Sequence, residues 1–562
     1  MSGFFWIFNF YVEFIKLGIR PKGKNMSKPS ILILGAGLMQ RPAILSAKEL
    51  GFNAVVIDAN PCAECVSLAD EFKKIDLKDK DEIFNYAKEL KQNSELKGIF
   101  TAGTDFSASV SYAAEKLGFP CHSYESALNA TIKPRMRQCF DRSNVPSPRF
   151  FSLSGAEITE EKVFSIIENL SFPCVVKPAD NMGARGCRMI RSKDEAWQSV
   201  KTAAENSRTS TVILEEYMEG PEFSIDAIVY DGTLTITGFA DRHIFYKPYF
   251  IETGHTMPTK IDEKKRLALI SAFADGVHAL GLSCGAAKAD IKFTEKGPQI
   301  GEIAARLSGG YMSGWTFPYS SGLNLTKQAL LVASGNEPSE LIGGRIPLKI
   351  KNAGFALFDY PSKNVSAERA WISIPGKLKS IQFCSKDSCV QDIFPRPVKT
   401  GDKVDFPRNN VQKCGNVISK SNSYDEAVSS AEQAVSRTFL RLEPKNADTD
   451  FFLSGKTLPD EKGFPPSAFS SFEKIEFLNL SGKIPADFSI LKDAENFPAL
   501  KEFLLLPEKD WTHQNALCVA EKFDSVCKKH PPLERSVFWK AFFRGGLQGA
   551  IYVSDSSQDS EK

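Results

Sequence analysis

The chain has 562 residues, 42% hydrophobic and 25% charged, and its 70 Lys+Arg nearly balance 68 Asp+Glu to leave a formal charge of +2. That length accommodates roughly three or four domains with sizeable cores, and the near-neutral balance excludes a global field that would draw nucleic acid or an anionic membrane. The 12 cysteines are scattered, and Cys62-x-x-Cys65 has no second pair to complete a zinc site, so reduced thiols in a cytoplasmic protein are expected.

Residues 1–25 form an expected N-terminal extension. Its apolar front is broken by Glu13 and Lys16 short of the ~20 apolar residues a spanning helix needs, and it lacks a basic n-region or a small-residue cleavage site. Two readings stand: a start site upstream of Met26, or an amphipathic surface helix. From Met26 an open parallel sheet is expected, with a strand at 31–34, the turn Gly35-Ala36-Gly37, a helix at 42–50 and a strand at 54–58. Gln40 stands where a dinucleotide fingerprint needs its third glycine, so NAD or FAD binding is not expected. Residues 98–105 read as a further strand entering a loop at the carboxyl edge, where open α/β sheets bind ligands.

Residues 133–148 read as a short helix and a proline-marked domain junction. A buried strand at 173–178 carries Lys177 near its end and runs into a loop containing Gly183, Ala184, Arg185 and Gly186. Such a loop beside a strand-anchored lysine can wrap phosphates through backbone N–H groups; a plain hairpin turn is the equal alternative. Residues 211–218 and 222–230 read as strands, with Glu222 at the start of the second, where an acidic side chain can meet ribose hydroxyls.

Residues 287–306 read as a hairpin with Ala287, Ala289, Ile291 and Phe293 on one face and Lys288, Asp290 and Lys292 on the other. A three-residue loop, Glu295-Lys296-Gly297, sets position 294 opposite 298 and therefore Asp290 opposite Glu302, with Arg306 on the same face. Directly opposed like charges destabilise a sheet by ~0.2–1 kcal/mol, so either a cation lies between them or the face is solvated with fortuitous charges. Oxygen-only ligands point to Mg²⁺, with Mn²⁺ as its substitute. Lys288 and Arg306 flank the pair and are placed to hold an anion.

These segments, in this order, resemble the ATP-grasp superfamily over residues 30–444, and within it the carboxylate-amine ligases, a group that includes D-alanine–D-alanine ligase and L-amino acid ligases, with biotin carboxylase more distant. The resemblance implies a chain of α/β and α+β class: an open parallel-sheet domain at 26–130, an ATP-grasp domain of two α+β lobes at 131–340, a smaller β-rich domain at 341–445, and an extra region at 446–562. It implies that Lys133 and Lys177 contact ATP phosphates, that Gly183 to Gly186 form a lid over them, and that Glu215, Glu216, Tyr217 and Met218 hold adenine. Glu222 would bind ribose, Asp290 and Glu302 the Mg²⁺, and Arg306 a phosphate or the substrate carboxylate. One position departs: two residues after Glu302, where many members carry asparagine, stands Ala304.

Residues 241–258 resemble the group's substrate-facing loop, making His243 and His255 candidates for binding or proton transfer, against a structural role for each. Gly309 to Trp315 would shape the second substrate pocket, although Tyr311 and Trp315 suit a core equally. Residues 415–418 and 423–427 resemble a closing hairpin and a capped helix. Beyond 446 there is no motif; helices are expected near 498–506 and 515–529 and a disordered end over SDSSQDSEK. The implied activity is ATP-dependent ligation of a small carboxylate to an amine, with ADP and phosphate as products, no nucleic-acid or membrane partner, and a homodimer compatible with the family. An ATP- and bicarbonate-dependent carboxylase, or a nucleotide-binding regulatory protein, are the alternatives.

Overall fold

The computed structural model describes residues 28–558 apart from 351–353, 385, 397, 457, 459–460, 462 and 471–479; the expected extension at 1–25 lies outside the described residues. The first unit is a four-stranded parallel sheet in the order β3-β2-β1-β4, formed by β1 (Ser30–Leu34), β2 (Asn53–Asp58), β3 (Glu71–Lys74) and β4 (Leu96–Phe100). Helices cover both faces, which is why β1 is a continuous apolar run, buried at every residue. Asp58 Oδ2 accepts from Ala36 N at 2.8 Å and so closes the turn after β1. Gln40 is buried and its Oε1 accepts from Ala102 N at 2.9 Å; it ties the turn to the loop after β4, a structural use of the position.

The second unit is an antiparallel sheet, β5-β8-β6-β7, built from β5 (Phe150–Ser154), β6 (Cys174–Pro178), β7 (Arg188–Ile190) and β8 (Thr211–Glu216). Helices Glu160–Ile167 and Ala196–Glu205 seal one face. The third is a ten-stranded sheet. It takes β9 (Glu222–Tyr230), β10 (Thr233–Phe245), β11 (Ile251–Met257), β12 (Gly285–Thr294) and β13 (Gly297–Ala304), followed by β14 (Ile346–Pro347), β15 (Ala356–Asp359) and β16 (Val365–Trp371). After β17 (Gly376–Gln382), which belongs elsewhere, β18 (Val390–Pro395) rejoins it, and after β19 (Lys403–Val404) so does β20 (Gly415–Ser421), giving the path β13-β12-β9-β10-β11-β16-β20-β18. Helices Lys133–Arg142 and Glu263–Ala279 bury its apolar face.

Several expectations need correction. The segment at 241–258 is no loop: most of it lies in β10 and β11, because long β-rich stretches on both sides give it strands to pair with. The strand at 415–418 forms no separate hairpin; as β20 it pairs with β16 and β18, so the β-rich region extends the large sheet. The expected helix after it is present as Tyr424–Ser436, capped by Ser423.

A boundary at 445 does not separate two cores either. One apolar cluster runs from Val365 to Val553, joining Trp371, Phe406 and Leu442 to Phe538, Trp539 and Phe542. β17 pairs with β21 (Phe439–Leu442), and the helical run Arg535–Gln558, two helices that meet in a kink at the non-helical Gly546, packs over them. That run also overturns the disordered end as far as Gln558. Its polar composition suggests solvation, yet Asp555 is buried and takes two 2.6 Å hydrogen bonds from Arg441. Residues 559–562 lie outside the described residues. Among the described residues no helix is long and apolar enough to cross a membrane.

Candidate active site

Between the small lobe and the exposed face of β9 to β13 lies a cleft of about 530 Å³. Its small-lobe wall is organised by Glu215, whose side chain is 4% exposed. An unpaired carboxylate there would cost several kcal/mol, on the order of the desolvation penalty of one ion, and two cations meet it: Arg137 Nε at 2.8 Å and Lys177 Nζ at 2.6 Å. Burial pushes the Glu215 carboxyl up, but the charges of Arg137 and Lys177 outweigh it and hold it at about 2. The Glu215 carboxylate is therefore committed to positioning Lys177. The cleft-facing hinge continues through Glu216, Tyr217 and Met218, where Lys292 Nζ donates to Met218 O at 3.1 Å.

The glycine loop folds over this wall. Gly183, Ala184 and Gly186 have φ of 68°, 59° and 69°, left-handed values that the two glycines adopt without strain and that Ala184 adopts at a cost. At Gly186 a Cβ would lie 2.7 Å from that of Asn206, so the position has no room for a side chain. Arg185 lines the cleft from this loop.

At the far end Asp290 stands directly across from Glu302. Lys288 Nζ lies 2.5 Å from Asp290 Oδ2, Arg242 Nη1 lies 2.7 Å from Oδ1, and Lys133 Nζ lies 3.8 Å from Glu302 Oε2. Burial raises both carboxyls, but Arg242 and Lys288 bring Asp290, and Lys133 and Lys288 bring Glu302, below the ordinary carboxylate range. Both are ionised at neutral pH. Asp290 Oδ1 is buried and, despite its ion-pair contact, accepts no hydrogen bond. Two ionised, opposed carboxylates with such an oxygen fit a hard divalent cation. Among the described residues no group of three or more His, Cys, Asp or Glu could hold a metal alone, so further ligands would have to come from phosphate or water.

Arg306 follows the pair and is held by Asp105, from the loop after β4, with Nε at 2.6 Å and Nη2 at 2.5 Å from Oδ1. Glu222 lies beside Arg242 Nη1 at 2.6 Å. The structure thus gathers Lys133, Lys177, Gly183, Ala184, Arg185, Glu215, Glu216, Tyr217, Met218, Glu222, Lys288, Asp290, Glu302 and Arg306 around one cleft, with Gly186 at the base of its loop.

The histidines do not join them. His255, expected in a loop as a catalytic candidate, is fully buried on β11 below Gly310, with Nδ1 2.9 Å from Glu368 and Nε2 3.4 Å from Glu252. Burial alone would lower its pKa, but those two carboxylates raise it to about 9. A protonated imidazole with no access to the cleft is not a general base; its geometry is that of a positioning residue for Glu252. His243 bonds Thr256 and is likewise absent from the lining.

Sequence reasoning missed Arg242, which also contacts Glu252, and a wall from the β-rich region. From that wall Arg396, Asn410, Val411 and Lys413 line the cleft. Asn410 N donates to Gly183 O at 3.0 Å, and its Oδ1 accepts from Glu252 N at 2.8 Å. A basic pair around 396 and 413 was the available signal, but only the sheet's long-range pairing brings it to the cleft.

Residues 170–314 match the family model of the ATP-grasp domain. The chain is similar to carnosine synthase 1 of Mus musculus, 22% identical over 57% of this chain and 42% of that protein. It is similar also to D-alanine–D-alanine ligase of Pseudomonas entomophila, 30% identical over 31% of this chain and 52% of that protein. It therefore spans about half the length of these curated relatives. In fold it resembles the crystal structure of L-amino acid ligase from Bacillus licheniformis, with a TM-score of 0.62 and 18% identity over 74% of this chain and all of that one.

Proposed function

On the premise that this chain carries an ATP-grasp domain, we propose that it is an ATP-dependent ligase that joins a small carboxylate to an amine and releases ADP and phosphate. The observation that carries this reading is the convergence of the opposed Asp290 and Glu302 with Lys133, Lys177 and Lys288 in one cleft beneath a positive-φ glycine loop. Adenine would lie along Glu216, Tyr217 and Met218, the ribose hydroxyls against Glu222, and the phosphates under Gly183 to Gly186 beside Lys133 and Lys177. Asp290 and Glu302 would hold Mg²⁺, which when bound offsets charge on the transferring phosphoryl group.

The chain's own residues supply position and fixed charge, so no nucleophilic side chain is needed. A substrate carboxylate oxygen forms a bond to the γ-phosphorus as the bond from that phosphorus to the β-bridging oxygen breaks, leaving ADP. The amine then adds to the acyl carbon, phosphate leaves with the transferred oxygen, and the amine loses a proton. Arg306, fixed by Asp105, and Lys288 are placed to steady the anionic groups through both steps. The names of two relatives, carnosine synthase and L-amino acid ligase, make amino acids the first components to try.

Turnover with an ¹⁸O-labelled carboxylate substrate tests this: label should appear in the released phosphate. Unlabelled phosphate, or formation of AMP and pyrophosphate, would overturn the reading.

A further inference from the structure

The cations around the cleft divide into two kinds. Lys133, Lys177, Arg242, Lys288, Lys292 and Arg306 each stand against a carboxylate. Among the described residues Arg185, Arg396 and Lys413 have no such ion pair. Arg185 belongs to the glycine loop and so to the proposed phosphate end. Arg396 and Lys413 come from a different part of the chain, the edge after β18 and the approach to β20.

Their remaining contacts are weak for groups of this charge. Arg396 Nη2 donates to Asn410 O at 3.3 Å, and its Nε is buried with no hydrogen-bond partner. Lys413 is 5% exposed, and its Nζ donates to the main-chain carbonyl of Glu252 at 2.8 Å. Arg396 N is bonded to Cys414 O at 3.0 Å, so the two cations sit on neighbouring strand ends and line one cleft. Neither side chain is in an ion pair with a described residue; the Glu252 charge acts on Lys413 from beyond ion-pair distance, and an anion bound at both would offset the cost of burying them. Beside them Tyr311 stacks on Phe394 at 4.6 Å and forms an apolar wall.

We propose that Arg396 and Lys413 form a second anion subsite, distinct from the lysines assigned to the phosphates, which takes a carboxylate that a substrate carries in addition to its reacting group. This rests on the ligase reading and narrows it to substrates with an extra acidic group. The guanidinium offers a paired-donor fork and the ammonium a point charge, which together suit a carboxylate held edge-on.

The test uses the full chain with Mg·ADP and a panel of acid and amide pairs: aspartate with asparagine, glutamate with glutamine, and each amino acid with its α-carboxamide. Binding is followed by calorimetry, with ATP titrated separately. At least one acid should bind more tightly than its amide. Arg396→Gln and Lys413→Gln should each weaken that acid by about 10- to 100-fold while leaving the amide and ATP unchanged, and retained ATP affinity also reports an intact fold. If no acid outperforms its amide, or if the variants weaken ATP in place of the acid, the subsite is wrong. Discriminating acid binding without acid-stimulated phosphate release would leave the subsite standing and sink the ligase reading.

Discussion

Arg242 meets Glu222, Asp290 and Glu252 with a single guanidinium. Arg242→Met would leave Glu222, Asp290 and Glu252 to their other cations, Lys292, Lys288 and His255, and the loss expected is about 3 kcal/mol, smaller at pH 5 than at pH 7.5 because carboxylates that lose a cation protonate more readily. Urea unfolding at the two pH values checks this; an equal loss at both would argue against the hub. Glu215 carries the acid-side dependence. Its carboxyl, held at about 2 against an ordinary 4.5, contributes roughly 3 kcal/mol, fully present above pH 4.5 and lost as the pH falls through 2. His255 works with the opposite sign: raised from 6.5 to about 9, it stabilises below pH 6.5 and that contribution fades as the pH rises through 9. His255→Gln should flatten the alkaline limb of the stability profile, and an unchanged limb would refute the charged assignment. Asp290→Asn and Glu302→Gln should each lower phosphate release at least ~100-fold with the melting transition retained; near-normal release would remove the metal assignment. Lys177 and Asp290 were legible from the sequence because strand ends and alternation are local signals, and Glu302 was reached through the hairpin register. Arg242 was not, because its partners arrive from β9, β11 and β12, and no spacing within β10 records them.

At the level of elements, the β12–β13 hairpin shows how a correct juxtaposition can come from a wrong detail. A three-residue loop was expected, but Thr294 pairs with Gly297 across two residues, and an irregularity beside Gly301 then restores Asp290 opposite Glu302. The extra residue also turns Ile300 into the core while Glu302 faces the cleft, which plain alternation forbids. Arg137 holds the irregularity by donating to Ile300 O and Gly301 O at 3.2 and 2.7 Å. A Cβ at Gly301 would stand 3.1 Å from Asp290 O, so Gly301→Ala should cost about 1–3 kcal/mol and disturb the metal end; a fully active, equally stable variant would show that the strand pair yields freely. The turn at 408–413 is a second such element. It touches the glycine loop and β11, and Asn410→Ala would leave Glu252 N without its acceptor. Faster protease cutting in the glycine loop is the expected result, and unchanged cutting would deny the coupling.

For the whole molecule, the strands of the parallel sheet and of the cleft hairpin could be read from periodicity and turn residues, and the two-lobe arrangement was expected only from the resemblance, whereas the union of 365–445 with the region after it could not be read. Its core joins aliphatic and aromatic side chains from strands, loops and helices far apart in the chain, a pairing that only tertiary packing reveals. A chain ending at residue 445 would expose the surfaces now covered by Phe538, Trp539 and Phe542, so it should be insoluble or aggregated. Size-exclusion chromatography of the truncated and full chains decides the matter, and a monodisperse truncated protein would contradict the shared core. The contact of Asn410 with Gly183 bears on synthesis as well. Because the cleft is completed by residues from 103 to 413, a chain emerging from the ribosome passes through a long interval in which the nucleotide-proximal surfaces exist but their far wall does not. During that interval the buried cations and carboxylates of the growing chain stay hydrated, and the finished cleft forms late, by closing loops of some three hundred residues.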